Sequence, residues 1–236
     1  MNKYAGSALA ALLLLAAAPV LAAPSAAIMA AVADPSRPDN DKAVDVLRKP
    51  AETVDFAGVK PGDKVAELAP GAGYYTRILA KVVGDSGKVY TYAVRPTVPA
   101  NPPVAPNVVP VAGTNADFAV PEPVDVVWTS RNYHDFQNAM PDMTAYNKKV
   151  FAALKPGGTY FILDHAAAAD AADDVHNALH RSKEAVVRSQ VEAAGFRFVA
   201  ASDILRNPAD DRTKRVQEQD VRGKTDQYLL KFVKPR

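Results

Sequence analysis

Three groups of residues carry side chains that can do chemistry. Asn132, Tyr133, His134 and Asp135 stand together in SRNYHDF (130–136). Asp164 and His165 close the run TYFILDH (159–165). In ELAPGAGYYT (67–76), Glu67 precedes Ala69, Pro70, Gly71, Ala72 and Gly73. Histidine titrates near neutral pH and can move a proton to or from a reacting group. Its structural alternative is to close a strand end or hydrogen-bond within the core. Paired glycines let the backbone approach a ligand closely, and a helix starting just after them favours negative charge. His176 and His180 are four apart, hence on one face of a helix. With Asp164 and His165 they could supply a nitrogen–oxygen metal site. That spacing is common by chance, so the sequence favours no metal. His180-Arg181 is read instead as lining a pocket or pairing with a carboxylate.

The elements around these residues are legible. KPGDKVAEL (60–68) reads as a turn followed by a strand at 64–68. Tyr75, Ile78, Leu79, Val82 and Val83 then repeat at helical spacing. The glycine-rich run therefore joins a strand to an amphipathic helix. KVYTYAV (88–94), NVVPVAG (107–113), VDVVWTS (124–130) and TYFILDH read as further strands, and VDVVWTS is apolar enough to be buried on both faces. Six prolines in 96–110 predict an extended loop. Helices are expected from about 41, interrupted by Pro50, then over 51–57, 140–154 (stopped by LKPGG) and 173–194. FRFVAASDIL (196–205) and DQYLLKFVK (226–234) read as the last strands. RNPADDRTKR (206–215), between them, reads as a solvated loop, or as a flap over the site. Strand–helix alternation predicts an α/β domain with a mostly parallel sheet, and two final strands without a helix between them predict an antiparallel pair. Ligands of such sheets bind at the carboxyl ends of the strands. SRNYHDF and Asp164-His165 both fall there.

Bulk composition narrows the function classes. Lys and Arg total 28 against 26 Asp and Glu, which leaves nothing to attract nucleic acid or an anionic membrane. Cysteine is absent, so disulfides, thiolate metal sites, cysteine nucleophiles and a lipoprotein anchor are excluded. The N-terminus carries Lys3, an Ala/Leu run over 5–18, Pro19 and then Val20-Leu21-Ala22, the pattern of an export signal. Residues 1–23 are expected to be removed, 24–40 to be a loose lead-in, and 41–236 to form the domain. The run is short for a membrane span, so no stable membrane insertion is expected after cleavage. The expected location is periplasmic or secreted.

The residues of the glycine-rich run also carry a resemblance. ELAPGAG, followed in order by RNYHD and LKPGG, resembles the class I S-adenosylmethionine-dependent methyltransferases, in particular a group of predicted methyltransferases bearing signal peptides. The resemblance covers about residues 37–234. It implies a Rossmann-like fold, a seven-stranded sheet with an antiparallel last strand, and S-adenosylmethionine as cofactor. It implies that Glu67 and the turn through Ala69, Pro70, Gly71, Ala72 and Gly73 hold the methionine part, and that Thr114 and Asn115 lie near the adenine. Asn132, Tyr133, His134, Asp135, Asp164 and His165 would then bind and orient a small-molecule methyl acceptor, with His134 or His165 as general base. The sequence departs from the family pattern twice. Ala69 stands at the first glycine of the motif, and the second strand ends in Tyr92-Ala93-Val94-Arg95 without the acid that holds the ribose. Two alternatives stay open: an exported ligand-binding protein on the same fold, and an NADP-linked reductase with Arg95 on a 2′-phosphate.

Overall fold

The computed structural model of the chain describes residues 23–92, 105–111 and 118–236. Its sheet is built from β1 (Lys64–Leu68), β2 (Lys88–Tyr92), β3 (Val108–Val111), β4 (Val124–Ser130), β5 (Leu154–His165), β6 (Arg197–Ser202) and β7 (Gln227–Val233). The order across the sheet is β3-β2-β1-β4-β5-β7-β6. All neighbours are parallel except β7, which runs antiparallel to both β5 and β6. This is the expected mostly parallel, seven-stranded α/β sheet. Strand order reverses between β1 and β4, so the loops leaving Leu68 and Ser130 diverge and open a crevice.

Helices cover both faces. On one side lie α1 (Ala26–Val32), α4 (Pro50–Ala57) and α5 (Tyr74–Val83). On the other lie α6 (Tyr133–Ala139), α7 (Met143–Ala153) and α9 (Glu184–Glu192). Short helices α2 (Asp39–Lys42), α3 (Asp45–Arg48) and α8 (Val175–Ala178) link these layers. β4 feeds both cores: Val126 and Trp128 enter one, Val124 and Val127 the other. Trp128 is fully buried between Phe161 and Tyr75, with ring centroids 4.2 and 4.9 Å away.

Four elements differ from the sequence expectation. Residues 26–32 form a helix rather than part of a loose lead-in; Ser25 caps it, and Ile28 and Ala31 are buried against α4 and α5. A helix, α6, follows β4 at the sheet edge, where the sequence pattern assigns no element, because α6 is too short to show a clear apolar period. The single helix expected over 173–194 is broken into α8 and α9. His180 adopts a left-handed backbone (φ 54°), and Ser182 joins Ala166 in a β-bridge. β5 starts at Leu154, so LKPGG is drawn into an irregular strand instead of a turn. The loop 206–215 is also anchored: Asp210 is buried and grips Arg181 through two hydrogen bonds of 2.7 and 3.1 Å. Thr114, Asn115 and most of the proline-rich stretch lie outside the described residues.

Candidate active site

The crevice at the strand-order reversal is a cleft of about 450 Å³. Its floor is the run Glu67 to Ala72, its wall is Ser130 to Asn132 with His134 and Asp135, and its far rim is His165, His180, Val216 and Gln217. The glycine-rich turn reaches it through unusual backbone angles. Ala69, Gly71 and Gly73 all have positive φ, at 52°, 57° and 80°. A β-carbon is strained there, so Ala69 holds a conformation that glycine adopts freely. Asn132 helps to keep it there, since its Nδ2 donates to Ala69 O (3.1 Å) and to Ser130 O (2.7 Å). A β-carbon on Gly71 would meet no atom within 4 Å, because the position faces open cleft. Gly73 closes the turn, and α5 begins at Tyr74.

Glu67 is buried at the floor and accepts a hydrogen bond from Thr76 Oγ1 at 2.6 Å. Burial pushes its pKa up to about 7, although Thr76 pulls the other way. A cationic ligand group placed beside it would find a carboxylate ready to ionise.

The wall carries a histidine–aspartate dyad. Asp164 ends β5 fully buried and accepts from His134 N (2.8 Å), His165 N (2.9 Å) and Ser182 Oγ (2.7 Å). Its Oδ1 is also 2.8 Å from His134 Nδ1. Beside a carboxylate, Nδ1 is the nitrogen that carries the proton, which leaves Nε2 bare. Burial opposes ionisation of Asp164, yet the charge and hydrogen bond of His134 hold its pKa below the usual value. The same burial penalises the imidazolium, and Asp164 overcomes it, so the His134 pKa is raised. His134 lines the cleft and is equipped to take a proton there.

His165 has the opposite electrostatics. Burial outweighs the adjacent Asp164 and pushes its pKa down to about 3, and its Nδ1 lies 2.7 Å from Thr225 Oγ1. It is a neutral hydrogen-bonding group on the cleft rim. Of the two candidate bases, the geometry therefore favours His134.

The other sequence candidates divide. Asp135 lines the cleft, with Oδ1 3.3 Å from His180 Nδ1 and 3.5 Å from His134 Nε2. Asn132 lines it while bracing the turn. Tyr133 requires correction: its ring is buried in the core between α6, α7 and α9, where its hydroxyl accepts from Asn147 Nδ2 (2.8 Å) and donates to Gln190 (3.3 Å). One step along a helix turns neighbouring side chains about 100° apart, so His134 and Tyr133 cannot face the same way. Asp164 is likewise absent from the cleft lining and reaches it through His134 and the backbone N–H of His165. Sequence reasoning missed Arg48 and Arg131, which also line the cleft. Arg131 adjoins Asn132 in SRNYHDF, so its position was the available signal.

His134, Asp135 and His180 place one possible ligand atom each within 4.8 Å of one another. His176, by contrast, faces a separate groove with Gln137 and Lys183. The three-residue cluster is held by its own contacts and by Arg215, whose Nη2 donates to His180 Nε2 at 2.6 Å.

No protein-family model matches the chain, and no curated protein matches it. Solved structures do. A SAM-dependent methyltransferase from Aquifex aeolicus superposes with a TM-score of 0.56 at 18% identity, over 84% of this chain and 98% of that one. Aeropyrum pernix fibrillarin, with natively bound S-adenosyl-L-methionine, superposes with a TM-score of 0.51 at 16% identity, over 80% of this chain and 76% of that one. The [4+2]-cyclase SpnF superposes with a TM-score of 0.57 at 14% identity, over 83% and 80% of the two chains. The chain thus has the Rossmann-like fold shared by class I methyltransferases.

Proposed function

We propose that this chain transfers a methyl group from S-adenosylmethionine to a small-molecule acceptor, with His134 as general base. The reading is supported above all by the Asp164-backed His134 facing a cleft floored by the glycine-rich turn. The cofactor would supply an electrophilic methyl carried on a sulfonium. The turn Ala69–Gly73 offers its backbone and open space for the methionine end, and Glu67 supplies a negative charge beside it. No acid closes β2: Tyr92 is buried against Phe118, and its hydroxyl donates to Ala119 O (3.0 Å). The fit is therefore strongest at the methionine end. Methyl transfer is an in-line displacement, so alignment dominates the rate. Asn132 and the turn fix the floor, while His134 Nε2 takes the proton of an acceptor hydroxyl or ammonium. Asp164 stabilises the imidazolium that results.

The test is titration of the protein with S-adenosylmethionine and S-adenosylhomocysteine, followed by an acceptor screen with methyl-labelled cofactor. Micromolar binding that is abolished in Gly71→Val supports the cofactor site. Labelled product that disappears in His134→Ala supports the base. Binding without turnover on any acceptor would instead favour a ligand-binding protein, and SpnF illustrates that this fold carries other chemistry. We also read residues 1–23 as an export signal; N-terminal sequencing of the protein recovered from the periplasm would reveal a start near Ala23.

A further inference from the structure

We propose that the methyl acceptor carries an anionic group, a carboxylate or phosphate, held by Arg48 and Arg131 in the side branch of the cleft. The proposal rests on the methyl-transfer reading for its substrate, but the anion site itself stands on separate observations.

The cleft continues past its rim into a second cavity of about 460 Å³, sharing Arg48, Arg131, His165, Val216 and Gln217 with the first. Arg222 and Gln227 complete its polar lining, and no carboxylate faces it. The first cavity, in contrast, is lined by Asp41, Glu67 and Asp135. Charge is thus sorted along one continuous cleft, acidic at the glycine-rich end and basic at the other. A sulfonium amino acid suits the first and an anion the second.

The arginines of the second cavity are also set apart by their partners. Elsewhere the fold gives its buried and half-buried guanidinium groups a carboxylate: Arg37 has Asp45, Arg77 has Asp41, Arg181 has Asp210, and Arg206 and Arg212 share Asp226. Arg131 and Arg48 are half-buried too. Among the described residues, neither guanidinium has an ion pair or a hydrogen bond; Arg48 stacks on the Tyr74 ring at 4.1 Å, and the carboxylates of Asp45 and Asp164 reach Arg48 and Arg131 only through space. Burial and the positive charge of Arg48 both depress the pKa of Arg131. Two cations that repel one another in a partly dry cleft are costly without a counter-charge. Arg131 is held there by a strained backbone as well, at φ 60°, with its N–H on Leu163 O at 2.6 Å. Strain of this kind persists only where surrounding structure enforces it, and it gathers at ligand sites. A planar guanidinium pair matches the oxygens of a carboxylate or phosphate.

The experiment is calorimetric titration of the full chain with inorganic phosphate and with succinate, each with and without saturating S-adenosylhomocysteine. At least one anion should bind saturably and unhindered by S-adenosylhomocysteine, and Arg131→Gln and Arg48→Gln should weaken it about 10- to 100-fold. Arg48→Lys, which keeps the charge, should recover part of that loss, and unchanged circular dichroism would exclude misfolding. Preference for phosphate over succinate, or the reverse, identifies the anion class. Equal anion binding by wild type and both glutamine variants would overturn the proposal. Competition between anion and S-adenosylhomocysteine, with the variants losing both, would also overturn it, since the arginines would then hold the cofactor's own carboxylate. If S-adenosylhomocysteine fails to bind while the arginine-dependent anion site persists, the methyl-transfer reading falls and the anion site stands.

Discussion

The carboxylate of Asp164 grips His134 twice, at the backbone N–H and at ring Nδ1, both at 2.8 Å. One contact anchors the first turn of α6, and the other fixes which way its ring faces and which nitrogen is bare. Asp164 is itself positioned by Ser182 Oγ, which lies 2.6 Å from Tyr228 OH on β7. Strands and a loop distant in sequence thus converge to orient one imidazole.

The first consequence concerns pH. The proposed reaction needs the base form of His134, and the pKa of that residue is raised above the ordinary 6.5. kcat/KM should therefore climb with pH through an apparent pKa above 6.5 and then level off. Stability follows the opposite sign for the same group. Folding raises this pKa, so its stabilisation is complete below 6.5 and fades as pH rises through the raised value. Asp164 is depressed below 3.8, so its contribution is complete above 3.8 and is lost as pH falls through the depressed value. A pH–rate profile limited by a group at or below 6.5 would count against His134.

Asp164→Asn should cut turnover by about 10²–10⁴-fold, because the base loses both its tautomer and its partner. It should also cost about 1–3 kcal/mol of stability by weakening the hydrogen bonds that the buried Asp164 carboxylate accepts. The rate loss is attributable to the base only if the apparent pKa of the remaining activity drops as well. An unshifted profile would leave Asp164 a purely structural residue.

Ala69→Gly removes a β-carbon from the left-handed region, relieving about 1–2 kcal/mol, while the added freedom of the unfolded chain costs about 0.4–1 kcal/mol. The net result should be a protein between equally stable and about 1.6 kcal/mol more stable. A clear fall in Tm on thermal unfolding would mean that the Ala69 methyl packs usefully in the turn.

Arg181 and Asp210 pin the loop that delivers Val216 and Gln217 to the cleft. Arg181→Ala should destabilise the chain by about 3–5 kcal/mol. It should raise KM more than it lowers kcat, because Arg181 touches the loop and not the His134 dyad. Unchanged KM for every acceptor would show that the loop has no part in binding.

Ile28→Ala tests the N-terminal helix. Its side chain is 2% exposed beneath α1, and its loss should cost about 2–5 kcal/mol. A cost near zero would mean that α1 is only loosely attached.

Patterns along the chain carried much of this protein. The strand 64–68, the turn PGAG and the helix on Tyr75, Ile78, Leu79 and Val82 form one local unit, and each part has its own period or turn chemistry. The same holds for the final strand pair, which no helix separates. Local signals also placed His134 and Asp164 at strand ends, because β4 and β5 are apolar runs with sharp polar limits. Their pairing was another matter. Hydrogen bonds that span 30 residues depend on which strands are neighbours and on register, and neither is written in a period. Tyr133 and His134 are adjacent in sequence and equally polar in type. Only the rotation of α6 sends one ring into the core and the other to the cleft. The bend at His180 was hidden for a similar reason: the helical pattern continues through it, but Ser182 gains a β-bridge and Arg181 gains Asp210 by leaving the helix. Residue types determined which chemistry was possible, and packing between distant segments decided which side chains could meet to perform it.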